Sequence, residues 1–442
     1  MDHAILVAAG TGIEGENLSA CGETEFGSLP QIKRLVITAQ RAGIRYFTII
    51  TDRPDTPLKG LLAGDKRIDS SISWHTLGAD ITLGDSPSLI IQSNLITTPK
   101  ALSNFMEEEP APGEISVLVD ESKDAWIKAS GDEVTDLYSS GGRAVGAFMA
   151  QGRLLEKSIM DSMSIGTFVK EHISREKVKF RKFSDSYWMR LSSNDKDSAK
   201  KAEELIFRYV GKTATGWLAR VVNSKISLPT SKLLVKTPLT PNMISVLINV
   251  IGALCGVFYA IGHPVIGALC MQAATILDRC DGEIARVKLM ETKKGQWVDT
   301  ISDQVTVLSF ILGVPIGYYS LTHNPIALVL GGINLSIFIF FVIWSFYFLK
   351  KYTDSGSLVT YFEVDKLVEK SKTSTVRKVI KFFRPVSRRN VYSLAFLCFA
   401  IVSGYPLVLG FTTAGLILFF IHQLEDIIKL RKINPESSNL LK

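Results

Sequence analysis

Two hydrophobic periods divide this chain. Up to about residue 235, short apolar runs alternate with amphipathic stretches, whereas from Met243 onward the apolar runs approach the ~20 residues that cross a hydrocarbon core. In the first part, Ala4-Ile-Leu-Val-Ala-Ala-Gly10-Thr-Gly12 reads as a buried strand entering a glycine turn, followed by a helix near Ile32 to Ala42 and a strand from Tyr46 to Thr51. Further strands are expected at Ser88 to Gln92, Ile115 to Val119 and Ala144 to Met149. Strands alternating with helices predict a soluble α/β, Rossmann-like domain over residues 1–205. In the second part six spans are expected, roughly 243–261, 264–286, 297–320, 325–349, 390–408 and 410–430. They predict an all-α transmembrane domain over 240–430, after a linker at 206–239 and before a cytosolic tail at 431–442. The run from Pro264 to Leu277 is too short alone, and spans only if its helix continues through Asp278 to Arg286.

Charge sets the topology. Lys and Arg number 50 against 43 Asp and Glu, a formal net charge of +7. That balance can mark a nucleic-acid binder, but here the excess sits in loops beside apolar segments, which points to an anionic membrane surface and away from nucleic acid. The connections near His263, His323 and Tyr405 carry no Lys or Arg, while the opposite connections are basic. Both termini are therefore expected on the cytosolic side of a multi-pass cell-membrane protein. The loop from Lys350 to Arg389 holds eleven Lys and Arg against four Asp and Glu, so it shares a side with Arg286, Lys288, Lys293 and Lys294. Trp217 to Lys225 fits an interfacial helix lying on lipid, and equally an amphipathic linker packed on protein. The scattered cysteines Cys21, Cys255, Cys270, Cys280 and Cys398 form no Cys-x2-Cys pair, which argues against a disulfide framework and a zinc site. The start of the chain lacks the pattern of a signal peptide, so the first domain is expected to stay in the cytosol.

The candidate chemistry lies in one stretch, Asp278-x2-Asp281-Gly282-x2-Ala285-Arg286-x8-Gly295-x3-Asp299-x3-Asp303. Helical spacing places Asp278, Asp281, Gly282, Ala285 and Arg286 on one face, and Gly295, Asp299 and Asp303 on another. Two helices meeting along these faces would gather four carboxylates around one cavity, tolerable only if cations occupy it. Oxygen ligands suit hard divalent ions, Mg2+ or Mn2+.

This pattern resembles, without gaps, the signature of the CDP-alcohol phosphotransferases. Those membrane enzymes move a substituted phosphoryl group from a CDP-linked alcohol to an acceptor alcohol and release CMP. The resemblance covers roughly Leu218 to Leu430, and Thr240-Pro241-Asn242-x2-Ser245 also looks like the family's preceding segment. It implies six transmembrane helices, a homodimer, and two divalent ions at the cytosolic mouth. It further implies Asp278, Asp281 and Asp299 as ligands, with Asp303 as second-metal ligand and acceptor of the attacking hydroxyl's proton. Asn242, Ser245, Gly282, Ala285, Arg286, Thr292 and Gly295 would line the CDP site, where Arg286 offers a diphosphate its forked guanidinium. A phosphate-bearing acceptor needs cations facing the carboxylates. Lys350, Lys351, Arg388 and Arg389 stand where the fourth span ends and the fifth begins, a place that also suits anchors at an anionic leaflet.

The order of elements in residues 1–205 is similar to the sugar-nucleotidyltransferase fold. In an archaeal-type bifunctional arrangement such a domain makes CDP-inositol from CTP and inositol 1-phosphate, and the fused membrane domain transfers it to a second inositol 1-phosphate. Here the decisive positions depart from that pattern. The Arg after the glycine turn is replaced by the stretch beginning at Ile13, no Lys occurs before Lys33, a metal-binding Asp is replaced by Gln92-Ser93-Asn94, and a Trp-x-Asp pattern becomes Trp188-Met189-Arg190. A site lacking phosphate cations and metal carboxylates is poorly equipped for nucleotidyl transfer, so a degenerate domain is expected. The alternatives to inositol phosphate chemistry are phospholipid synthesis from CDP-diacylglycerol and a polyol or polyol phosphate, or a bifunctional enzyme retaining cytidylyltransferase activity. Outside the enzymes, a divalent-cation transporter would place its ligands nearer the midplane, and a binding protein with relic sites would fit the first domain better than the second.

Overall fold

The computed structural model describes residues 1–13, 15–83, 85–120, 143–160, 178–182, 187–212, 223–352, 356–358, 389–402 and 404–430. The chain forms two compact units, Met1–Tyr209 and Val210–Lys442.

In the first unit, strands β1 (His3–Ala8), β4 (Tyr46–Thr51), β5 (Ser71–Thr76), β6 (Pro87–Gln92), β8 (Ile115–Asp120), β9 (Arg143–Gln151) and β10 (Val178–Lys182) make one sheet, ordered β10-β8-β9-β6-β1-β4-β5. Short two-residue strands complete the set: β2 (Glu25–Phe26) with β3 (Leu29–Pro30), and β7 (Leu95–Ile96) with β11 (Met189–Arg190). β1 pairs in parallel with β4 and β6, while β9 runs antiparallel between β6 and β8. The central strands read as unbroken apolar runs because both faces are covered. Leu6 and Phe47 pack with Ile32 and Leu35 in one apolar cluster, whereas Ile5, Val7 and Phe148 belong to another. The helices α1 (Leu18–Glu23), α2 (Gln31–Arg41), α3 (Pro57–Leu62), α4 (Pro99–Met106), α5 (Gly152–Met160) and α6 (Ser198–Lys212) intervene. All five strand-like runs in the sequence are strands here. β5 has no counterpart among them, because Ser71-Ile-Ser-Trp-His-Thr is a mostly polar edge strand without a buried apolar run.

Lys33 does not stand free for a phosphate. Its Nζ lies 3.0 Å from Asp65, which also accepts from Arg67 Nη2 at 2.6 Å. The Arg67 guanidinium, aided by Lys33, holds the Asp65 carboxyl well below the usual carboxylate range.

The second unit is helical: α7 (Ser224–Leu234), α8 (Pro241–Ala260), α9 (Pro264–Leu277), α10 (Arg279–Val287), α11 (Lys293–Thr322), α12 (Pro325–Tyr352), α13 (Arg389–Val402) and α14 (Tyr405–Leu430). Each of the six expected spans contains a helix. Among the described residues four helices are long and apolar enough to cross a membrane, over Pro241–Ala260, Lys293–Thr322, Pro325–Lys351 and Tyr405–Glu425, and Arg389–Val402 is a shorter apolar one. The fifth and sixth segments divide earlier than the sequence reading places them. Gly404, at φ +64°, turns the chain, and Pro406 suits the first turn of α14, so that helix begins at Tyr405. The second segment continues past Leu277 with a one-residue interruption at Asp278, whose φ of −49° and ψ of −28° keep the helical course. Of the expected interfacial helix, Trp217 to Val222 lie outside the described residues.

Glycines let α8 and α11 approach backbone to backbone. A Cβ added to Gly313 would fall on the Gly256 backbone, and one on Gly256 would fall on the carbonyl of Ser309. Beside this crossing, Tyr259, Phe310, Phe396 and Tyr405 form an aromatic core, and the Tyr405 hydroxyl donates to the Tyr259 carbonyl.

Candidate active site

A short reversal between α10 and α11 sets the carboxylates face to face. The first helix ends on a left-handed Leu289 (φ +52°), with Met290 N donating to the Ala285 carbonyl at 2.7 Å. Thr292 then caps α11, its Oγ1 accepting from Gly295 N at 2.9 Å. The consequence is that ligand oxygens of Asp278, Asp299 and Asp303 all lie within 4.8 Å of one another. Asp281, the fourth expected ligand, is buried nearby but is not one of those three: its carboxylate accepts from Ser245 Oγ on α8 and from Gly282 N at 2.5 Å.

The residues expected around the nucleotide fall into two groups near this cluster. Asn242, Thr292 and Gly295 meet, since a Cβ on Gly295 would lie 3.2 Å from both Asn242 Oδ1 and Thr292 Oγ1. Among the described residues, a Cβ on Gly282 would meet the Arg286 guanidinium nitrogens, at 3.9 Å. Arg286 pairs with Glu291 at 3.5 Å across an exposed edge, and half-buried Ala285 adds the small surface between them. Ser245 is tied to the carboxylates: its hydroxyl donates to Asp281, while its own carbonyl accepts from Asn249 Nδ2 one turn on in α8 at 2.9 Å.

Of the four cations considered for an acceptor, Arg389 reaches the carboxylates. As the first residue of α13, it places Nη1 2.6 Å from Asp303 Oδ1 and 3.3 Å from Asp278 Oδ1. Its Nη2 is buried with no hydrogen-bond partner among the described residues, which leaves one strong donor unspent beside the cluster. Lys350 and Lys351 are exposed at the end of α12, where Lys351 Nζ bonds the Tyr347 hydroxyl at 2.8 Å. Arg388 lies outside the described residues.

Several polar residues of the site escaped the sequence reading. Thr306 Oγ1 donates to Asn249 Oδ1 at 2.7 Å, Ser393 Oγ to Gln272 Oε1 at 2.8 Å, and Ser227 and Ser231 to Glu283. Single polar residues in apolar helices carry no spacing signal, so only their partners on other helices reveal them.

The donor set fits divalent ions. Three carboxylates converge, with buried Asp281 near them, and among the described residues Arg389 is the guanidinium paired with Asp278 and Asp303, leaving an excess of negative charge that a low-dielectric setting penalises unless cations enter. In the first unit, the described residues at the expected metal positions are Gln92, Ser93, Asn94 and Arg190. Gln92 is fully buried at the end of β6, a Cβ on Gly146 would touch Gln92 Oε1 at 3.3 Å and Arg190 Cδ at 3.6 Å, and Arg190 Nε lies 4.0 Å from Glu16. Ser93 Oγ donates to the Leu18 carbonyl at 2.5 Å, and Asn94 Nδ2 to the Leu191 carbonyl at 3.2 Å. Amides, a hydroxyl and an internal cation stand where metal carboxylates were sought, and the hydroxyl and the Asn94 amide are engaged with the protein's own backbone.

Comparison with known proteins bears on both units. Residues 238–378 match the model of the family described as CDP-alcohol phosphatidyltransferase. A protein of Aquifex aeolicus named bifunctional IPC transferase and DIPP synthase is 30% identical over 141 residues, which is 32% of this chain and 32% of that relative. One of the same name from Thermococcus kodakarensis is 24% identical over 338 residues, covering 70% of this chain and 74% of the relative. The match to the Aquifex protein thus spans about a third of its length. Among solved structures, the inositol-1-phosphate CTP transferase from T. maritima aligns at 15% identity over 46% of this chain and 96% of its own, with a TM-score of 0.34.

Proposed function

We propose that this chain is a membrane-embedded CDP-alcohol phosphotransferase, which transfers a substituted phosphoryl group from a CDP-alcohol to an acceptor alcohol and releases CMP. The observation that carries the reading is the convergence of Asp278, Asp299 and Asp303, with Asp281 beside them, inside the segment that matches the family. Two divalent ions, Mg2+ or Mn2+, would be held by Asp278, Asp281, Asp299 and Asp303; when bound, they neutralise the donor's pyrophosphate and hold the entering and leaving oxygens in line.

The chain's own residues supply the rest. Asn242, Thr292 and Gly295 border the CDP site on one side, while Gly282 and Ala285 leave room for it under the Arg286 guanidinium. Ser245 fixes the orientation of Asp281 through its hydroxyl. The acceptor hydroxyl attacks the phosphorus that carries the donor's alcohol, the bond from that phosphorus to the oxygen of CMP breaks, and the hydroxyl proton passes to Asp303.

The acceptor we assign is a phosphorylated alcohol, inositol 1-phosphate, with CDP-inositol as donor. Arg389 supports this choice, because its buried Nη2 offers a charged donor to a phosphate beside the carboxylates. The name of the Thermococcus relative, similar over most of its length, is consistent with it. The basic loops orient the site toward the cytosol, and the assembly is a homodimer in lipid, as the family resemblance implies. The first unit is proposed to be catalytically silent, retained for stability, partner contact or donor capture.

The test is CMP release by purified protein in detergent, with CDP-inositol, CDP-glycerol and CDP-diacylglycerol offered against inositol, inositol 1-phosphate and glycerol phosphate. CDP-inositol with inositol 1-phosphate should turn over, and Asp303→Asn should reduce that rate by at least about 100-fold. No CMP from any pair would refute the reading.

A further inference from the structure

The motif helix has a second working face. Opposite its metal-facing carboxylates, Glu283 is 1% exposed and accepts from Ser227 Oγ at 2.8 Å, Ser231 Oγ at 2.7 Å and Arg279 Nη2 at 3.2 Å. A carboxylate so deeply buried is stable only where its acceptor positions are filled, and two of its three donors come from α7, outside the family motif. Ser227 and Ser231 are one helical turn apart and fully buried, so α7 presents a hydroxyl pair to this one side chain. A second tie lies at the other end of α10. Lys288 Nζ donates to the carbonyls of Thr237 at 2.9 Å and Leu239 at 3.2 Å, in the segment that follows α7. Cys280 Sγ, one turn before Glu283, contacts the Ser227 carbonyl at 3.7 Å beside the first tie.

We propose that Glu283 is a positioning residue, locking the axial rotation of α10 to the pre-membrane helix α7 and thereby fixing where Asp278 and Asp281 point. Asp278 keeps helical dihedrals across the one-residue interruption between α9 and α10, so α9 carries its course into the motif, and the buried ties to α7 hold the outer face of α10 in that rotation. A turn of α10 by one residue's angular step would carry Asp281 away from Ser245 and both aspartates away from Asp299 and Asp303. Glu283 touches neither donor nor acceptor; it acts through the carboxylates on the opposite face.

This inference rests on the metal-binding reading above, and its test separates the two. Full-length protein in detergent is titrated with Mn2+ alone, and free ion is read by electron paramagnetic resonance well below the melting temperature. Wild type should bind Mn2+, and Glu283→Ala should weaken binding by about 10- to 100-fold, the range expected for residues that orient ligands from outside the coordination sphere. Glu283→Gln, which can still bond both serines, should recover much of the loss. Should Glu283→Ala not yield folded protein, the double variant Ser227→Ala with Ser231→Ala keeps the carboxylate and its arginine, and should still weaken Mn2+ binding. Wild-type affinity in either folded variant would overturn the positioning role. A wild-type protein that binds no Mn2+ would overturn the metal reading, and this inference with it.

Discussion

Replacing Arg389 by Gln isolates the part of the site that faces the acceptor. The guanidinium contacts Asp303 and Asp278 through Nη1, and its Nη2 is buried without a hydrogen-bond partner among the described residues. A phosphate reaching that nitrogen gains one charge-assisted hydrogen bond, about 1.5–3 kcal/mol, and losing it corresponds to roughly a 10- to 150-fold change in affinity. The expected result is therefore a rise of that order in KM for a phosphorylated acceptor, with KM for the CDP-alcohol within about 2-fold of wild type. Arg389→Lys retains charge without the two-nitrogen fork and should fall between them. The assay is steady-state CMP release, varying each substrate while the other saturates. An unchanged acceptor KM, or an equal rise for both substrates, would refute the assignment and leave Arg389 as a counter-ion to the carboxylates alone.

Other consequences are open to direct measurement. Gly313→Ala would push a methyl group into the Gly256 backbone, and overpacking of this kind costs about 1–3 kcal/mol, so the melting temperature in detergent should fall; an unchanged one would contradict the close approach of α8 and α11. Asp65 has its pKa depressed by Arg67, so its contribution to stability is present above the unfolded-state value near 4 and is lost as pH falls through the lower folded value. Asp65→Asn should thus lower the melting temperature of the first unit at pH 7, on the order of 1 kcal/mol, with a gap that narrows below about pH 4; a gap independent of pH would contradict the pairing. Full-length protein given CTP, inositol 1-phosphate and Mg2+ should release no pyrophosphate above background, and brisk release would show that the first unit is active.

What the sequence made legible follows from the range of each interaction. The carboxylate spacing is a local property of two helices, so Asp278, Asp281, Asp299 and Asp303 could be placed on facing stripes from their numbers alone. Long apolar runs likewise announced α8, α11, α12 and α14. Arg389 could be shortlisted by its position at a span end, but not separated from Lys350, Lys351 and Arg388, because the choice depends on how α13 meets the turn at Asp278. Glu283 carried no signal at all: between Asp281 and Arg286 it looks like a solvated charge, and only the serines of α7 show otherwise. In the first unit, the missing cations and carboxylates were readable one by one, whereas the Arg190–Glu16 pair joins residues too far apart in the chain to be inferred from it.

The most direct test is diffraction from crystals soaked in Mn2+, recorded where manganese scatters anomalously. The account predicts two peaks about 4 Å apart, bordered by Asp278, Asp281, Asp299 and Asp303. Aspartates splayed apart with no peak between them would contradict it.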